Sequence, residues 1–139
     1  MGADGLREPA RLSARNGADP RRARTGGAAG LTGDDVCLVA ELDGEVVGLV
    51  LANPAATSAW ATGRINAKPV TYLALGSTTA HARGKGVAGA IVAELHRRQS
   101  EQGIAATALH YSAYNPLSVP FWSQQGYRPL LTSYSTTVH

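Results

Sequence analysis

Residues 71–102 read TYLALGSTTAHARGKGVAGAIVAELHRRQSEQ, and how they are read decides the fold. Residues 71–75 have the apolar run of a buried strand, while Ala88, Ile91, Val92, Leu95 and Gln99 recur at helical spacing. Between them lies Arg83-Gly84-Lys85-Gly86-Val87-Ala88. The first turn of a helix leaves backbone N–H groups without partners, and the helix dipole adds partial positive charge there. Gly84, Gly86 and Gly89 remove β-carbons that would keep an anion from those donors, and Arg83 and Lys85 add full charges. Strand, glycine turn and helix together suit a diphosphate.

Two frames fit this turn. Residues 84–89 match G-x-G-x-x-G, the dinucleotide fingerprint, which on its own is a weak signal. That fingerprint should follow its strand directly and be followed, about 20 residues on, by an acid ending the next strand. Here residues 76–82 separate strand from turn, and the nearest acid, Glu101, precedes the next apolar run at residues 106–111. Context therefore disfavours a nicotinamide cofactor.

The second frame, R-x-x-G-x-A at Arg83, Gly86 and Ala88, resembles the coenzyme A pyrophosphate motif of the GNAT superfamily of N-acetyltransferases. The resemblance continues through Leu109-His110-Tyr111, Asn115, Ser118, Phe121-Trp122 and Gly126-Tyr127, and covers about residues 36–131. It implies an α/β fold with a mixed sheet, the GNAT-like acyl-CoA N-acyltransferase fold, and acetyl-CoA as co-substrate. The implied activity is acetyl transfer to a primary amine of a small molecule, amino acid or peptide by direct attack; the alternative is a coenzyme-binding but catalytically inactive module or fragment. The implied coenzyme site is Arg83, Gly84, Lys85, Gly86, Val87, Ala88 and Gly89 for the pyrophosphate. The resemblance makes Gly76-Ser77-Thr78-Thr79 the place where the family's strand bulges and splays, and there the backbone of Ser77, Thr78 and Thr79 would meet the pantetheine arm and polarise the thioester carbonyl. Asn115 matches an asparagine that contacts the same arm.

Two departures from the family pattern stand out. Many members carry, where this chain has Trp122, a tyrosine whose hydroxyl protonates the leaving thiolate; an indole N–H is no useful acid. That leaves Tyr114, Tyr111 or water. The family also begins with a strand and two helices that wall the acceptor side, and residues 1–35 are too short and polar to supply them, so an N-terminally truncated domain is expected. No strand-borne carboxylate marks a general base; His81 near the turn and His110 on the fifth strand are the candidates, since a histidine titrates near 6.5.

Away from this stretch, 139 residues hold one domain with a real core. No apolar run approaches the roughly 18 residues of a membrane helix, and the N-terminus lacks the apolar centre of a secretory signal, so the cytoplasm is the expected location. Cys37, the single cysteine, sits in the apolar run of residues 36–40, where a buried structural role is expected. Residues 1–33 hold six arginines and only Leu6, Leu12 and Leu31 as large aliphatics. They bury too little to offset ordering entropy, so residues 1–35 are expected to form a disordered basic tail, with room for a short helix over residues 6–15.

Six arginines against Asp4, Glu8 and Asp19 give the tail +3, and the remaining chain balances to zero. The basic balance thus belongs to the tail, and without interleaved aromatic residues no specific nucleic-acid site is expected. Residues 36–40 and 46–51 read as two strands joined by a primed turn at Asp43-Gly44, with Gly48 marking a bulge or a close backbone approach. The resemblance makes them the family's second and third strands.

Residues 53–69 read as a loop with one weak helical turn, in which Trp60 is either a lid over the acceptor or, the favoured reading, an anchor onto the core. The helix after the glycine turn should end at Gly103, with His96, Arg97 and Arg98 facing water. Pro116 should open the next helix with Asn115 as its cap, Gly126 should end it, and Tyr127 should start a strand. Residues 132–138 are expected to form the last strand, and an incomplete sheet invites a homodimer. No metal site is expected.

Overall fold

The computed structural model describes residues 11–16 and 35–138. Its sheet has five strands in sequential order, β1 (Arg11–Asn16), β2 (Val36–Leu42), β3 (Glu45–Asn53), β4 (Val70–Thr78) and β5 (Ala106–Ala108). The first three pairings are antiparallel, and β4 to β5 is parallel. A parallel neighbour needs a crossover, which the long helix α2 (Val87–Glu101) supplies. Two short helices, α1 (Ala59–Thr62) and α3 (Ser118–Gln124), flank β4 in sequence and follow β5 respectively.

The β2–β3 hairpin turns at Asp43 and Gly44, both with positive φ (52° and 79°), as a primed two-residue turn requires. Gly48 meets both expectations placed on it. The register slips between Ala40 and Glu41, so that Ala40 faces Gly48 and Glu41 faces Val46. A β-carbon at Gly48 would also lie 2.9 Å from Ile91 Cδ1 and 3.0 Å from Val87 Cγ1. The missing side chain is what lets the N-terminal half of α2 settle on the sheet. Leu38, Val47, Ile91, Val92 and Leu95 are fully buried in the core around that contact. Each such side chain contributes about 1.5–3 kcal/mol of hydrophobic stabilisation.

The far half of α2 is fastened by a closed triangle of hydrogen bonds. Gln99 Nε2 donates to Thr71 Oγ1 at 2.6 Å, Thr107 Oγ1 donates to Gln99 Oε1 at 2.6 Å, and the two threonine hydroxyls lie 3.2 Å apart. It ties helix, β4 and β5 together where the last two strands are still paired. The helix then stops at the expected glycine. Gly103 has φ 74°, its N–H donates to Ser100 O and Ile104 N–H to Gln99 O, the paired pattern of a left-handed cap. Gly126 ends α3 in the same way, with Tyr127 N–H donating to Trp122 O.

Several expectations are corrected. Over its described part, the short helix expected at residues 6–15 is instead β1, because the open edge of β2 offers a six-residue ladder from Arg11↔Glu41 to Asn16↔Val36. Asp35, the last residue of the expected tail, is buried and accepts a hydrogen bond from Asn53, and the rest of the tail lies outside the described residues. β5 is three residues long and does not run through to residue 111. Pro116 precedes α3 by a turn, and Asn115 Oδ1 accepts the Leu117 N–H at 3.1 Å there.

Neither Tyr127 nor residues 132–138 form a strand. The alternating threonines and Tyr134 carry β propensity, but Leu130, Leu131, Tyr134 and Val138 are all exposed, and propensity without a buried face to pack does not make a strand. His96 does not face water. It is half-buried, with Nε2 2.9 Å from the Tyr127 hydroxyl. Trp60 touches the sheet, as an anchor should, yet remains 74% exposed.

Candidate active site

β4 is paired to β5 only over Val70–Tyr72, matched to Ala106–Ala108. Beyond Tyr72 it continues alone on that side, and its edge is open. The bulge that accompanies this opening lies at Ala74, between the pairs Leu73↔Ala52 and Leu75↔Leu51, and not at residues 76–79 as expected. A cleft of about 310 Å³ begins here, with Gly76, Ser77 and Thr78 on one side and Leu117 and Trp122 of the α3 region on the other. Arg83 and Ala88 line its end at the glycine turn, so cleft and turn are continuous.

The ladder decides which backbone groups face the cleft. Thr79 N–H donates to Val47 O at 2.8 Å, so Thr79 points toward β3. Successive residues of an antiparallel strand alternate between facing the partner and facing away. With Thr78 opposite Gly48 and Ser77 opposite Leu49, Ser77 also faces β3, whereas Gly76 and Thr78 turn their N–H and C=O groups to the open edge. Of the three residues expected to meet the pantetheine arm, Thr78 alone has its backbone turned to the cleft. Gly76, named in the sequence only as part of the splay, is its companion. No signal in the sequence singles it out, because the phase of the alternation along β4 is set by its pairing with β3.

At the turn, Gly84 and Gly86 have φ of 74° and 77°, and a β-carbon on either would meet nothing within 4 Å. These glycines are required by backbone conformation, and the space beside them is open. Gly86 is the N-cap of α2 and no side chain caps it; its C=O accepts the Ala90 N–H at 3.0 Å, the first turn of the helix. The N–H groups of Val87, Ala88 and Gly89 therefore precede the ladder, as in any helix start. Arg83 and Lys85 are exposed beside them. This donor set fits a pyrophosphate.

The expected catalytic residues are not brought together. His81 follows β4 on a short turn and lies 3.6 Å from Glu45 at the hairpin tip, both side chains exposed. Tyr114 is 98% exposed on the turn before α3, with Asn115 beside it. His110 stands two residues past the last β4–β5 pair, with Nδ1 3.2 Å from the Tyr72 hydroxyl. Burial raises the pKa of that hydroxyl. Trp122 sits edge-on to Phe121 and Tyr127, at 4.8 and 5.2 Å between ring centres. Among the described residues there is no group of three or more metal-ligating side chains, and no helix long and apolar enough to cross a membrane.

The family profile described as the acetyltransferase (GNAT) family matches residues 10–127. The chain belongs to this family. The match begins well before the domain boundary expected at residue 36, and so takes in β1. Solved structures agree at the level of fold. An assigned acetyl transferase from Pyrococcus furiosus superposes with TM-score 0.65 at 19% identity, over 76% of this chain and 66% of that one. Aminoglycoside N-acetyltransferase AAC(6')-Iy, solved with CoA, gives 0.62 at 20% identity over 75% and 66%. A transcriptional regulator from Bacillus halodurans C-125 gives 0.61 at 18% identity over 75% and 66%. The chain thus spans 66% of the length of each of these structures. No curated protein matches it.

Proposed function

We propose that this chain binds acetyl-CoA and transfers the acetyl group to a primary amine. One observation carries the proposal: the glycine turn, its uncapped helix start and the open edge of β4 form one continuous cleft in a member of the GNAT family. Arg83, Lys85 and the N–H groups of residues 87–89 would hold the pyrophosphate. Acetyl-CoA supplies an activated acyl group, at which a C–N bond forms as the C–S bond breaks and one proton leaves the nitrogen. For that chemistry the chain offers the Gly76 and Thr78 N–H groups, aimed away from β3 and free to stabilise a developing oxyanion. A preorganised donor of this kind is worth roughly 3 kcal/mol.

His110, at the point where β4 and β5 part, is the better placed of the two histidines to take the amine proton. His81 is turned to Glu45 at the hairpin tip. Aminoglycoside acetyltransferases among the similar structures put small amine-bearing acceptors first in a screen. A second reading, coenzyme binding without turnover, is favoured by Trp122 standing where an acid would be needed.

Calorimetry with acetyl-CoA, and NADH as control, tests the proposal on the wild type, Gly86→Ala and Gly86→Glu. Both variants carry the same backbone strain at positive φ, but only glutamate brings a negative charge into the anion site. Micromolar binding of acetyl-CoA that falls at least about 100-fold in Gly86→Glu, equivalent to roughly 2.7 kcal/mol, and less than about tenfold in Gly86→Ala, is expected. Absence of binding by folded wild-type protein overturns the proposal, and binding without thiol release across an amine panel selects the second reading.

A further inference from the structure

Trp60 combines two properties that seldom occur together. The residue is 74% exposed, yet the turn that carries it is pinned by buried hydrogen bonds. Ser58 Oγ donates to Pro54 O at 2.7 Å and Thr62 Oγ1 to Ser58 O at 3.0 Å, with Ser58 and Thr62 both buried beneath α1. The indole then lies parallel to the His110 ring, 6.0 Å between centres and 10° between planes, and edge-on to Tyr72 at 5.1 Å. Tyr72 and His110 complete the group, 5.6 Å apart and joined by their hydrogen bond. A side chain whose purpose was only to seal the core would not leave most of its ring in water.

The cluster also has a telling position. Tyr72 is the last residue of β4 paired to β5, and His110 lies just past Ala108, the last residue of β5 paired to β4. The three rings therefore stand where the strands part, at the end of the open β4 edge opposite the glycine turn. Behind them the row of side chains runs from Tyr72 to its cross-strand partner Asn53, whose Nδ2 donates at 2.9 Å to Oδ1 of the buried Asp35. Aromatic faces carry negative electrostatic potential and attract a cation placed over the ring, tryptophan most strongly.

We infer that the open face of Trp60 is the acceptor-recognition surface, taking the acceptor's amine as an ammonium ion that gives one proton to solvent before it attacks and a second as the C–N bond forms, with Tyr72 and His110 holding the indole in place. The inference rests on the acetyl-transfer reading for what the ammonium is, but the recognition itself can be measured without turnover. Choline is a suitable probe because its quaternary nitrogen stays charged and cannot be acetylated. Its neutral counterpart, 3,3-dimethylbutan-1-ol, has the same shape. Each is titrated into 15N-labelled full chain while the indole N–H resonances of Trp60 and Trp122 are followed, with acetyl-CoA binding measured calorimetrically on the same samples.

Choline should move the Trp60 resonance saturably and bind about threefold to tenfold more tightly than the alcohol. In the variants, where the Trp60 indole signal is gone, the backbone amides of residues 59–62, 72 and 110 report instead: Trp60→Phe should weaken choline binding and Trp60→Ala abolish it, with the spectrum of the free protein otherwise unchanged. Equal affinity for choline and the alcohol, a response confined to Trp122, or retained binding in Trp60→Ala overturns the inference. Choline binding without acetyl-CoA binding would leave the cation surface standing and remove the acetyl-transfer reading; the reverse result would do the opposite.

Discussion

The two ends of α2 are built to opposite rules. At its C-terminal end Gln99 is locked into a triangle with Thr71 and Thr107, Glu94 pairs with both Arg97 and Arg98, and the paired hydrogen bonds around Gly103 close the last turn. At its N-terminal end no side chain caps the helix, two glycines hold positive φ in open space, and two cations stand exposed. One end spends its polar groups on the protein itself, and the other leaves them for a ligand. Stability and binding should therefore separate along a single helix.

The largest effect expected of that separation is Gln99→Leu. It removes both hydrogen bonds that the amide makes and leaves the two threonine hydroxyls only each other, which should cost about 2 kcal/mol. Gly86 lies thirteen residues away, about 20 Å along the helix. The denaturation midpoint should therefore fall while the acetyl-CoA dissociation constant stays within about threefold. A large loss of binding in a variant that is still folded would show that the two ends are not independent.

Gly48→Ala probes the join between them, and a smaller effect is expected. The new methyl would meet Ile91 Cδ1 and Val87 Cγ1, both ends of side chains that can move a little, so a cost of about 1–2 kcal/mol is expected. Because Val87 opens α2, the displacement should pass to the glycine turn as well, weakening acetyl-CoA several-fold by calorimetry. Unchanged affinity would show that the turn is set by its own glycines and not by the seat of the helix.

How much of this was legible in the sequence follows the same division. The glycine turn, the helix and its Gly103 stop and the Asp43-Gly44 hairpin each rest on local backbone chemistry, and residue type alone carried them; a glycine inside a strand also flagged a close approach at Gly48, though not that α2 makes it. What depended on a distant partner was not legible. β1 exists because β2 has an edge to offer, and residues 132–138 fail as a strand because, among the described residues, no partner strand or buried face receives them. The choice of Gly76 over Ser77 and Thr79 needed the β3 register, down to the Thr79 to Val47 hydrogen bond. The Trp60, Tyr72 and His110 group joins three separate segments, and nothing in any one of them announces the other two.

The smallest effect concerns acid stability at the closed end. Burial holds the His96 pKa below its ordinary value, and the ring shares a hydrogen bond with Tyr127. With the folded pKa below the unfolded value of about 6.5, the unfolded chain binds more protons as the solution is acidified. His96 therefore contributes stability that is fully present above that value and declines as pH falls through the folded pKa. The shifts of Glu94 and Tyr127 act outside this window. Glu94, held at about 2 by hydrogen bonds to Arg97 and Arg98, loses its contribution only as pH falls below the ordinary carboxylate range. Tyr127, pushed up to about 12 by burial, opposes folding only in alkali. His96→Gln keeps a hydrogen-bonding partner for the Tyr127 hydroxyl but cannot titrate. Urea midpoints measured between pH 7.5 and 5.5 should fall for the wild type and stay level for the variant; parallel curves would mean that the buried imidazole does not set the acid limit of the closed end.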